Sequence, residues 1–188
     1  MTGAIHIHED DWGMRTLHPL SAAKEVQSDI DAAIAAGERN RAPDGAGWTD
    51  VHVIAQPSVD YTSAGLSVQQ ASEALALILP RVRNFAATAS SAMGGGQRDP
   101  YGSYETDAHC YGTNAGCFIK LETEGALVRQ IWFECDTDAD DRARLRRGLE
   151  AIDRLCASVI ADYWLDRTGA VSDAAFMDDY MRALADEP

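Results

Sequence analysis

Residues 106–135 constrain the fold more than any other stretch of this chain. Three runs, Thr106 to Tyr111, Gly116 to Leu121 and Leu127 to Cys135, are rich in aromatic and branched apolar residues, with turn-forming residues between them. Glu124-Gly125 supplies a tight turn between the last two. The pattern predicts an antiparallel meander. Such a sheet buries at least one face, so the flanking segments must provide what covers it.

Those flanks read as a mixture of strands and helices. Ala4 to His8 alternates apolar with polar residues and predicts a short strand. Ser21 offers a helix N-cap, and Val26, Ile30, Ala33 and Ile34 recur at helical spacing until Gly37. The Pro-Asp-Gly of residues 41–48 signals a turn, and Val51 to Ile54 predicts a strand. Ser67 with Gln70 forms a capping-box pair ahead of a second helix through Leu75 and Ile78, stopped at Leu79 by Pro80. Val82 to Ala89 predicts another strand, followed by a glycine-rich loop over residues 90–104. A long helix is expected from Asp138 to Trp164, with Leu145, Leu149, Ile152, Cys156, Val159 and Tyr163 on one stripe. A final helix after Ser172 presents Phe176, Tyr180 and Leu184. The expected architecture is a single α+β domain over residues 1–188, a mainly antiparallel sheet of about five strands with helices packed on one face.

Charge narrows the function classes. Thirty acidic against 16 basic residues give a formal net charge of −14. Phosphate backbones are bound chiefly through Lys and Arg, so this excess disfavours nucleic acid, and it disfavours anionic membrane surfaces for the same reason. The N-terminal stretch carries acids where a signal peptide has its basic region, which makes the cytoplasm the expected location. Cys110, Cys117, Cys135 and Cys156 contain no C-x-x-C pair and read as buried thiols in a reducing compartment. Only a two-residue loop at Thr113-Asn114 would set Cys110 and Cys117 opposite each other.

Several clusters carry chemistry-bearing side chains. In the HIHEDDW run of residues 6 to 12, His6 and His8 share one face of a strand, and Asp10 adds a carboxylate. Two imidazoles and an acid can begin a metal site that activates water, so a metal-dependent hydrolase is the alternative function. The acidic run at residues 136–141 fails as a calcium loop, because the sixth and twelfth positions hold Asp141 and Arg147 rather than Gly and Glu. It serves better as the acidic start of a helix. Arg142 and Arg146, within the basic cluster 142–147, suit an anionic small molecule and define a third reading. Arg98, Asp99, Tyr101 and Tyr104 bring to one loop the residue types of a recognition surface. Gly94-Gly95-Gly96 lacks the Lys-Ser/Thr of a P-loop, and no nucleotide fingerprint, nucleophile elbow or zinc-protease helix occurs, so no cofactor is expected.

No residue motif identifies a family. The leading expectation is a non-enzymatic cytoplasmic module of inhibitor or immunity-like type, binding a basic protein through its acidic surface and the 91 to 105 loop. The methionine-bearing stripe of residues 176–184 leaves room for a homodimer.

Overall fold

The central layer is a seven-stranded sheet in which every neighbouring pair is antiparallel, ordered β10-β9-β2-β8-β7-β6-β3. The computed structural model describes residues 3–42, 47–89, 98–135 and 138–186. In chain order the strands of this sheet are β2 (Arg15–Pro19), β3 (Arg81–Val82), β6 (His109–Asn114), β7 (Cys117–Glu124), β8 (Leu127–Glu134), β9 (Ser158–Asp162) and β10 (Arg167–Ala170). A second sheet has three strands, β1 (Ile5–His8), β4 (Phe85–Thr88) and β5 (Ser103–Glu105), with β1 parallel and β5 antiparallel to the middle strand. Four α-helices complete the described residues: α1 (Ala23–Arg39), α2 (Val68–Ala76), α3 (Ala139–Leu155) and α4 (Ala174–Ala185).

Alternation along the strands divides the apolar residues between two faces. On one face Leu17, Ile119, Leu121, Ile131, Phe133 and Ile160 meet Leu75 of α2, Leu145, Leu149 and Ile152 of α3, and Met177 and Leu184 of α4. Gly148 lets α3 come this close, because a Cβ there would lie 2.6 Å from the Ile119 Cδ1 atom. On the other face the small sheet packs Ile5, Ile7 and Phe85 against Phe118 and Trp132, while α1 packs Val26 and Ile30 against Val159 and Ala161. The molecule therefore has three layers.

Buried charge is matched inside this frame. Asp162, fully buried at the end of β9, accepts from Arg15 Nε at 3.0 Å and Tyr180 Oη at 2.8 Å through one oxygen. Its other oxygen accepts from the Trp164 and Leu165 amides, both at 2.9 Å, and so shapes the β9–β10 turn. Arg15 also pairs with Glu134, whose carboxyl burial nevertheless pushes up to about 6. Lys120, 1% exposed, is held by Glu105 at 3.0 Å and Glu122 at 3.1 Å, which ties the small sheet to the large one.

Several expectations are corrected. The sheet is larger than about five strands, and α1 lies on the face opposite the other three helices. The long helix ends at Leu155, and residues 158–162 form a strand buried along its whole length. Cys156, Val159 and Tyr163 extend the helical stripe by coincidence, whereas the continuous run Val159-Ile160-Ala161 is what a strand covered on both faces requires. The Asp153 carboxylate accepts from the Ser158 amide at 2.8 Å and turns the chain there. Helix α1 starts at Ala23 after a short 3-10 turn rather than from a Ser21 cap, and it runs past Gly37 to Arg39.

Residues 51–54 join no sheet; the segment 52–58 is fastened instead to carboxylates of α1. Ser67 stands at the start of α2 without a side-chain cap bond, its backbone bridging to Leu127. The single strand expected over Val82 to Ala89 is two short ones, Arg81–Val82 and Phe85–Thr88, which join different sheets. The hairpin after β6 turns at Ala115-Gly116, so Cys110 faces Lys120 and lies on the opposite side of the sheet from Cys117. Those two thiols are not within bridging reach across the pair. Residues 90–97 of the glycine-rich loop, 43–46 of the Pro-Asp-Gly turn and 136–137 of the acidic run lie outside the described residues.

Candidate functional site

The C-terminal end of α1, the residues after it and the β9–β10 turn enclose a cleft of about 620 Å³. Each wall has a local cause. Ala42 donates to the Gly47 carbonyl and Thr49 to the Asn40 carbonyl, both at 2.8 Å, closing a loop that lays Trp48 beside Gly37. Opposite, the Asp162 side chain organises the turn that presents Tyr163 and Trp164. Asp166 closes that turn in the left-handed region at φ 53°, the conformation a hairpin loop of this kind needs and one that Asp tolerates.

Asp29 of α1 anchors the third wall through His52, and Glu25, one helical turn earlier, fastens the segment that follows it. Glu25 accepts from the Ser58 amide at 2.7 Å and its hydroxyl at 2.6 Å, and these bonds hold its carboxyl below the usual carboxylate range. Asp29 accepts from His52 Nε2 at 3.0 Å, Tyr163 Oη at 2.6 Å and the Ala55 amide at 3.3 Å. Burial, then the bond to Asp29, raises the Tyr163 phenol above its ordinary pKa.

The cleft combines apolar area with charge. Trp48 is 62% exposed, Trp164 49% and Val51 74%, with Ile34 beside them and Val53 two residues beyond Val51. Isolated exposed apolar residues are normal, but Ile34, Trp48, Val51 and Trp164, four drawn from three segments around one cleft, make a patch. Glu38, Asp50 and Asp166 line the same cleft against one guanidinium, Arg41.

The residues singled out from sequence lie elsewhere. His6 bonds Thr88 Oγ1 at 2.6 Å, linking β1 to β4, and His8 caps the 3-10 turn of residues 9–11 by accepting from the Asp10 amide at 3.2 Å. Asp10 lies 3.4 Å from His8 Nδ1. The other three histidines bond Thr16, Asp29 and Ser72, and among the described residues no three metal-ligating side chains converge.

Arg98 stacks over the Tyr104 ring at 4.3 Å, and Asp99 accepts from the Ala89 and Tyr101 amides while its own amide donates to Tyr104 Oη at 3.0 Å. These contacts pin residues 98–104 to their own domain and leave Tyr101 exposed. Arg146 pairs with Glu150 at 2.9 Å and Asp178 at 2.6 Å, fastening α3 to α4, and Arg142 lies half-buried near the start of α3. Asp138 caps that helix, accepting from the Asp140 and Asp141 amides, which is the local role expected of the acidic run.

Sequence reasoning missed the cleft. Trp48 ends a stretch that reads as a turn, and Trp164 falls at the end of a run that reads as helix. Their one shared signal is a tryptophan beside acidic turn residues, Trp48-Thr49-Asp50 and Asp162-Tyr163-Trp164-Leu165-Asp166.

Comparison with protein-family models, curated proteins and solved structures finds no match to this chain. The site's own geometry carries the functional argument. No helix among the described residues is long and apolar enough to cross a membrane.

Proposed function

We propose that this chain is a non-enzymatic protein-binding module of inhibitor or immunity-like type. Its docking face is the cleft of Trp48, Trp164 and Val51, and its partner is a basic protein. The observation that carries the reading is the exposure of two tryptophans from separate segments on one face, since exposed aromatics in a cleft supply most of the energy of protein recognition. The net charge of −14 supports a basic partner by speeding and selecting the encounter. The residue 98–104 contacts favour the cleft over that segment as the contact surface, because Arg98, Asp99 and the Tyr104 hydroxyl are already engaged.

A photo-crosslinking residue at Val53 tests this in cells that make the protein naturally. A single basic protein should be captured, with Trp48→Ala abolishing capture. The same crosslinker at Leu77, exposed just past the end of α2 on the opposite face of the sheet, should capture nothing. Equal capture from both positions, or none from Val53, refutes the proposal.

A further inference from the structure

The geometry points to a specific occupant for the cleft: one lysine or arginine side chain of the partner, its stem against the aromatic rings and its charge facing the carboxylates. This inference rests on the docking reading above and gives it a chemical specificity. Three aromatic residues, Trp48, Tyr163 and Trp164, line the same space as three carboxylates, Glu38, Asp50 and Asp166. An aromatic face attracts a cation through its quadrupole, and indole does so best. A long basic side chain also has an apolar stem that covers apolar surface while its head stays polar. A neutral aliphatic side chain would use the rings and leave the carboxylates idle, and an anion would meet three like charges.

The site is partly built before any partner arrives. Asp29 holds Tyr163 and His52 in place from beneath, and Asp162 holds the turn that carries Trp164. Among the described residues that line the cleft, Arg41 alone carries a fixed positive charge, so three carboxylates against one guanidinium leave it negative. That balance is the second observation, independent of the exposed rings, and it selects charge as well as shape.

The probes are the blocked amino acids Nα-acetyl-arginine amide and Nα-acetyl-lysine amide, with the citrulline and norleucine analogues as neutral counterparts of similar shape. The readout is the indole N–H signals of the full chain by NMR, which has four tryptophans, two of them outside the cleft, Trp12 and Trp132. Both cationic probes should shift the Trp48 and Trp164 signals saturably and leave Trp132 still. The neutral analogues should bind about tenfold more weakly, and added salt should erode the difference. A double substitution, Glu38→Gln with Asp50→Asn, should remove the preference for charge while a residual shift from ring contact persists. Since both residues are exposed, the fold is retained. Equal binding of neutral and cationic probes overturns the assignment and leaves the docking face standing. No shift with any probe overturns it as well, and crosslinking from Val53 then judges the docking face by itself.

Discussion

Replacing Asp162 with Ala should lower the melting temperature by about 10 °C. The carboxylate is fully buried and accepts four hydrogen bonds, from Arg15, Tyr180 and the amides of Trp164 and Leu165. Removing one member of a buried pair leaves the other charge uncompensated, at a cost of about 3–5 kcal/mol. Glu134 still faces Arg15, which trims that cost, while the Tyr180 hydroxyl loses its acceptor, which adds to it. We take about 4 kcal/mol. A chain of 188 residues unfolds with an entropy of about 0.4 kcal/mol/K, so that loss converts to about 10 °C.

The assay is thermal unfolding by circular dichroism at neutral pH, with tryptophan fluorescence recorded alongside. Asp162→Asn keeps an acceptor for the two turn amides but faces Arg15 with a neutral group, so about half the loss should remain. A shift below about 3 °C for Asp162→Ala would refute the reasoning, since a buried ion pair of this geometry cannot be removed that cheaply. A change of Trp164 emission in the Ala variant and not in the Asn variant would show the turn itself depending on the same side chain.

Acid should weaken the fold through His18, which burial holds down to about 4 against the pull of Asp29. Below an unfolded value of about 6.5 the unfolded chain takes up a proton that the folded imidazole refuses, so stability is lost as pH falls, by about 3 kcal/mol at pH 4. Urea unfolding at pH 7 and pH 4 should therefore show His18→Gln losing about 3 kcal/mol less than wild type over that interval, and parallel losses would disprove the role of His18. Gly112→Ala should cost about 1–3 kcal/mol or more, because its Cβ would stand 2.4 Å from the Cys117 carbonyl oxygen and 2.5 Å from the Phe118 Cβ. A melting temperature within about 1 °C of wild type would mean that β6 and β7 are not so close.

What could be read from the sequence was what is local. The β7 and β8 runs, the stripes of α1 and α4, and the N-terminal acids of α3 all rest on spacing within one segment, and each stands near its expected place. Strand β2 escaped because Arg15-Thr16-Leu17-His18-Pro19 is buried throughout despite four residues that are not typical core hydrophobes; its burial is set by partners more than a hundred residues away. Strand β9 escaped because a strand covered on both faces has no alternation to display. The cleft was invisible for the same reason as β2: α1, Trp48 and the β9–β10 turn share no local pattern, and only the antiparallel pairing of β9 and β10 beside α1 brings them together. The histidines at residues 6 and 8 did share a face, but their polar atoms found Thr88 and a turn amide.

The strapping of residues 52–58 onto α1 has a kinetic consequence. Sheet strands gain protection from a cooperative ladder, whereas this segment hangs on two helix carboxylates, Glu25 and Asp29. It can therefore release as a small unit while the layers behind it stay closed, and its amides should exchange with solvent far faster than those of β7 or β8. Because Ser58 keeps Glu25 ionised below the usual carboxylate range, the upper tether stays fastened in mild acid. Of this segment only His52 lines the cleft, so its release would loosen one edge of the docking face and leave the Trp48 and Trp164 walls standing.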